Sequence, residues 1–191
     1  KGAVLSTAID KYVFVIVKER FDERIYLNWM RKEIVENVDQ IEHELIRETM
    51  KKTGVIKGVE ITTLSDIPAE GSGLGSSSSV TVALLEALYL YQGMQIDTER
   101  LAREACQIEI DILGKPIGKQ DQYIAAYGGL KHLTFNTDDK ALITAPKIDS
   151  ALLNYLDSQL LLFYTGVTRN SADVLTDQKA KITSTSSILK R

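Results

Sequence analysis

Residues 71–79 read Gly-Ser-Gly-Leu-Gly-Ser-Ser-Ser-Ser and run straight into an apolar, helix-forming stretch. Gly71, Gly73 and Gly75 alternate along it, and glycine adopts positive φ and admits close backbone approach where other residues do not. The serines that follow fall in the first turn of the helix, where unpaired N–H groups and the positive end of the helix dipole favour an anion. The segment therefore reads as a phosphate cradle formed by Gly71, Ser72, Gly73, Leu74, Gly75, Ser76, Ser77 and Ser78. A hydroxyl in that turn can also ligate a divalent cation. A flexible, solvated turn has the same composition, but a strand before it and a long apolar helix after it favour the cradle. It is not a Walker A loop, because no Gly-Lys-Ser/Thr ends it, and its third glycine comes one residue early for a dinucleotide fingerprint. Residues 114–119 (Gly-Lys-Pro-Ile-Gly-Lys) also have the look of a P-loop, with the wrong spacing and Gln120 where the hydroxyl residue belongs.

Two carboxylates stand out next. At about 100° per residue, Leu101, Ala102, Ala105, Ile108 and Ile112 define the inner face of one helix, and Glu109 lies on that face. A carboxylate there is costly unless paired or metal-bound, so Glu109 is either one half of a buried ion pair or a Mg²⁺ ligand acting with a serine of the cradle. Glu104 and Asp111 read as outward-facing charges. Asp121, in Gly-Lys-Gln-Asp-Gln (118–122), falls in a helix's first turn, where the dipole keeps it ionised. It is either a plain capping aspartate or, beside Lys119, an acceptor for a hydroxyl proton during phosphoryl transfer.

The elements that must position these groups follow from period and punctuation. Strands are expected over 3–9, 11–17, 24–30, 55–63, 130–135, 141–145 and 159–164. Helices are expected over 38–53, 76–92, 97–113, 120–127 and 150–156, with a helical tail from 171 that gives way to a polar run at 183–187. The helix over 76–92 is apolar on most sides and so belongs at the centre. Strands and helices mix without βαβα alternation, which indicates an α+β fold, with residues 1–170 as one domain and 171–191 leading out of it.

Composition bounds the function. The 191 residues are 44% hydrophobic and 26% charged, with a net charge of -3, so no basic stripe is available for nucleic acid. One cysteine, Cys106, and two histidines exclude a disulfide framework and most Cys/His metal chemistry. No run approaches the roughly 20 apolar residues of a membrane span, and no signal peptide is visible, so a cytoplasmic protein is expected. The first residues are already strand-like and lack a methionine, as in the interior of a longer chain.

Pro68, Gly73, Leu74, Gly75, Ser76 and Ser77 together resemble the second motif of the GHMP kinases (galacto-, homoserine, mevalonate and phosphomevalonate kinases), which continues Gly-Leu-Gly-Ser-Ser-Ala-Ala; Ser78 and Ser79 replace the two alanines. The resemblance implies the family's N-terminal domain, of the ribosomal protein S5 domain 2-like type, with helices packed on a mixed sheet. It further implies that the loop holds ATP phosphates, that Ser77 and Glu109 hold Mg²⁺, and that Asp121 is the base. Within the family, Ala-Ile-Asp-Lys-Tyr (8–12), Gly-Lys-Gln-Asp-Gln-Tyr (118–123) with Ala-Ala-Tyr-Gly-Gly (125–129), and Tyr-Thr-Gly-Val-Thr-Arg (164–169) look like sugar 1-kinases acting on D-glycero-D-manno-heptose 7-phosphate. That implies a small sugar phosphate as partner, contacted by Lys119, Gln122, Thr165 and Arg169. A fucokinase or galactokinase, a kinase-fold sensor without activity, and a stable core fragment are the alternatives. The family's first and third motifs are absent, so the resemblance implies a portion of a longer kinase.

Overall fold

The computed structural model describes residues 2–67, 72–138, 140–163 and Lys181. Along the chain run β1 (Gly2–Thr7), β2 (Val13–Glu19), β3 (Ile25–Asn28), β4 (Lys32–Val35), a 3₁₀ turn (Val38–Gln40) and α1 (Glu44–Thr53). Then come β5 (Val59–Ser65), α2 (Ser76–Tyr91), α3 (Thr98–Cys106) with a π-helical continuation (Gln107–Ile112), α4 (Gln120–Tyr127), β6 (Leu130–Phe135), β7 (Ala141–Thr144) and α5 (Ser150–Ser158). The strands form two sheets, an antiparallel β1-β6-β7 and a mixed β2-β5-β3-β4 in which β3 runs parallel to β5. The result is the α+β architecture with a mixed sheet that the sequence implied.

The helix α2 organises the interior. Its Val80, Leu84 and Leu88 pack with Ile25, Leu27, Val59 and Ile61 of the mixed sheet and with Leu45, Ile46 and Met50 of α1. From the same helix, Val82, Leu85 and Tyr89 meet Leu101, Ala105 and Ile108. A helix apolar all round must be covered on every side. Full burial of each such side chain contributes about 1.5–3 kcal/mol, so this burial fixes where the first turn of α2 points.

Four expectations change. The segment 38–53 is not one helix: Asn37 and Gln40 form a capping box around the 3₁₀ turn, Ile41 is extended, and α1 starts afresh with His43 Nδ1 accepting from Ile46 N–H at 3.3 Å. The apolar spacing runs on across the break and hides it. β4 was not expected; it pairs with β3 through Ile25↔Val35 and Asn28↔Lys32. No strand forms over 160–163, which stays exposed; a strand exists only where a neighbour takes its backbone bonds, and no described strand lies beside it. The rest of the tail, including the polar run 183–187, lies outside the described residues apart from Lys181.

Glu104 is the fourth. It is buried, with Tyr89 Oη–H donating to Oε2 at 2.6 Å and Arg100 Nε–H donating to Oε1 at 2.9 Å. The buried face of α3 is wider than the periodicity suggested because α3 packs on both α2 and α4. Asp111, by contrast, is exposed as expected. No described helix is long and apolar enough to cross a membrane.

Candidate phosphate and proton-transfer site

The chain enters α2 through Gly73 and Gly75, both at φ 71°. The N-cap, Gly75, makes no side-chain capping bond, and the first turn of a helix presents N–H groups that favour an anion. The loop is braced from within: Ser72 and Ser76 hydroxyls lie 2.6 Å apart, and Leu74 N–H donates to Ser72 Oγ at 3.3 Å. Ser76 and Ser78 are buried, whereas Ser77 is only half-buried. Pro68 and Gly71 of the expected cradle lie outside the described residues.

Glu109 reaches this turn from the π-helical segment. The segment carries an i→i+5 bond, Leu113 N–H to Ile108 C=O at 3.0 Å, a wider turn of the kind often found at functional positions. The widening packs a partly buried Leu113 against the core and leaves Ile112, expected inside, about half exposed. Glu109 has no exposed surface, and its Oε2 lies 3.1 Å from Ser77 Oγ and 3.3 Å from Ser78 Oγ, both hydroxyls facing it as donors. Its Oε1 makes no hydrogen bond among the described residues. Burial pushes the carboxyl above the ordinary carboxylate range, while the Thr81 hydroxyl, the Lys115 ammonium and the Ser77 and Ser78 hydroxyls pull it back part of the way. A half-satisfied buried carboxylate beside an accessible hydroxyl suits a divalent cation. No cluster of three or more Asp, Glu, His or Cys occurs among the described residues, so such an ion would take most of its ligands from phosphate and water, as Mg²⁺ does.

Asp121 stands in the first turn of α4 and closes the site from the other side. A Cβ added at Gly75 would lie 3.3 Å from both Cβ and Cγ of Asp121. Glycine is thus required at 75 twice over, by its φ and by the carboxyl packed on it. Asp121 caps nothing, and its carboxylate accepts no hydrogen bond among the described residues. The residue as a whole is exposed, yet burial of the carboxyl raises its pKa.

The structure separates the remaining candidates. Gln122 is fully buried. With its amide oriented to suit its neighbours, it donates to Gly118 C=O at 3.2 Å and Lys119 C=O at 3.3 Å and accepts from Ser78 Oγ at 3.1 Å. Ser78 has one proton for two acceptors, so the Gln122 amide oxygen and Glu109 Oε2 compete for it. Lys119 lines a cavity of about 520 Å³ with Glu99, Cys106, Tyr123, Tyr127 and Lys140. By helix spacing that is the face of α4 opposite Asp121. Thr165 and Arg169 lie outside the described residues. Lys115 went unrecognised in the sequence: its ammonium lies 3.4 Å from Ser77 Oγ and 2.9 Å from Glu44 Oε1. The lysine-bearing loop 114–119 was its only signal, and that loop fits no known phosphate motif.

Residues 41–129 match the family model described as the GHMP kinases N terminal domain. The chain is 26% identical over 196 residues to D-glycero-alpha-D-manno-heptose 7-phosphate kinase of Campylobacter jejuni, covering 95% of this chain and 57% of that protein. It is 31% identical over 188 residues to galactokinase of Pyrococcus furiosus, covering 90% and 49%. The crystal structure of a D-glycero-D-manno-heptose 1-phosphate kinase from Bacteroides thetaiotaomicron superposes with a TM-score of 0.75 at 30% identity, over 82% of this chain and 55% of that one. The chain spans about half the length of the relatives it matches.

Proposed function

We propose that the chain carries the N-terminal domain of a GHMP kinase, on the match over residues 41–129, and that the full-length protein transfers the terminal phosphoryl group of ATP to the anomeric hydroxyl of a sugar, D-glycero-D-manno-heptose 7-phosphate. One observation carries the reaction type: the open first turn of α2, the Ser77–Glu109 pair and the Asp121 carboxyl meet around Gly75. The acceptor rests on resemblance to the heptose phosphate kinases.

In this reading the N–H groups of the α2 turn hold the polyphosphate and oppose the charge that develops on its oxygens. Ser77 and Glu109 hold Mg²⁺, which supplies charge neutralisation at the phosphates. Asp121 takes the proton of the sugar hydroxyl as the new O–P bond forms; its raised pKa brings it nearer the working pH, where a general base is more effective. Gln122 acts as a buried strut that fixes the Asp121 loop. Thr165 and Arg169 remain the proposed contacts to the sugar phosphate, whereas Lys119 lines the cavity on the other face of α4.

A coupled ADP-release assay on the full-length protein tests this. Turnover is expected with heptose 7-phosphate. Turnover with galactose or fucose alone moves the acceptor to that of the galactokinase and fucokinase relatives. Nucleotide and sugar binding with no ADP release on any sugar makes the protein a sensor and ends the kinase reading.

A further inference from the structure

We propose that Lys115 is a phosphate-binding residue of the nucleotide site, parked on Ser77 and Glu44 when no phosphate is bound; the proposal rests on the kinase reading above. The backbone delivers Lys115 to this place. Its N–H donates to Glu109 C=O at 2.9 Å, directly after Gly114 at φ 64°, so the chain folds back where the π-helical turn ends. The side chain returns over the first turn of α2, three-quarters buried, and its ammonium lies 3.4 Å from Ser77 Oγ. A unit positive charge therefore stands beside the N–H groups and dipole that already favour an anion.

The present partner of that charge is easily exchanged. Glu44 is the first residue of α1 and half exposed. A carboxylate at a helix N-terminus is stabilised by its own helix without a lysine, and a solvated ion pair adds little to stability. An ammonium offers three donors, of which Ser77 and Glu44 engage two. A polyphosphate at the α2 turn brings several anionic oxygens within reach of the same group and offers a stronger, charge-assisted bond. Lysine is the residue type suited to this, as a compact point charge on a flexible stem.

The test is equilibrium binding of ATP, ADP and adenosine to the full-length protein and to its Lys115→Met and Lys115→Arg variants, in EDTA and in Mg²⁺. Lys115→Met is expected to weaken ATP and ADP roughly tenfold or more under both conditions, with adenosine unchanged. Lys115→Arg should restore most of the loss. ATP bound equally by wild type and Lys115→Met overturns the Lys115 assignment and leaves the kinase reading standing. An equal loss for adenosine also overturns it, because the role is then structural. Failure of the wild type to bind ATP at all in Mg²⁺ removes both.

Discussion

At Glu109 the structure sets folding against binding. A carboxyl with no exposed surface and one unbonded oxygen is poorly solvated when ionised, and its raised pKa puts that cost into pH dependence. The folded state holds the proton more tightly than the unfolded chain. The contribution to stability is therefore complete below the ordinary carboxylate pKa and is lost as pH rises through the raised value. Glu109→Gln should flatten that part of the pH–stability curve, measured by chemical denaturation, without lowering stability at neutral pH. The same variant should lose the Mg²⁺-dependent part of its ATP affinity. A variant that keeps both the slope and the Mg²⁺ effect contradicts the placement. Asp121→Asn removes the proposed proton acceptor and should lower kcat by about 10²–10⁴ with ATP affinity unchanged. Gly75→Ala would drive a methyl into Asp121 at 3.3 Å from a positive-φ backbone, so both thermal stability and nucleotide affinity should fall.

Between elements, the deciding contact is the one from α4 to α2 through Gln122. The sequence placed this residue among the sugar contacts, and its full burial makes it instead the tie that holds the 118–119 carbonyls to Ser78. The two roles separate kinetically. Gln122→Ala should lower kcat while leaving the KM for the sugar near its wild-type value, since Asp121 loses its support; a rise in sugar KM with kcat unchanged would restore the contact role. The π-helical turn matters for a similar reason. Regular α-helical spacing after Ile108 would bury Ile112, whereas the wider turn packs a partly buried Leu113 against the core and sends the chain back toward Ser77. Leu88→Ala, in the last turn of α2, should cost about 2–5 kcal/mol of unfolding free energy, because Leu88 is fully buried among α1 and mixed-sheet residues.

Across the whole molecule, Cys106 reports on closure of the packing between α3, α4 and β6. It is buried with Ala102, Tyr123 and Leu133, and burial pushes its thiol up to about 12. A thiol so far from its thiolate form reacts slowly, so a disulfide reagent at pH 8 should label it in the native protein far more slowly than in denaturant; equal rates would mean that the packing is open. The parts legible in the sequence were those with local signatures. Alternating glycines before an apolar run marked the turn into α2, helical period marked Glu109 as inward, and Gly128 closed α4 at the expected residue. The illegible parts depend on partners far away in the chain. Ser77 and Glu109, 32 residues apart, can be paired by sequence only through resemblance, and nothing local distinguishes buried Glu104 from exposed Asp111. Sequence by itself determined which residues could hold a phosphate, a cation or a proton, because side-chain chemistry and glycine's φ range are local properties. Tertiary structure alone put Lys115 beside Ser77, buried Gln122 against Ser78 and turned Lys119 toward a different cavity, because direction and burial are set by how α2, α3 and α4 pack.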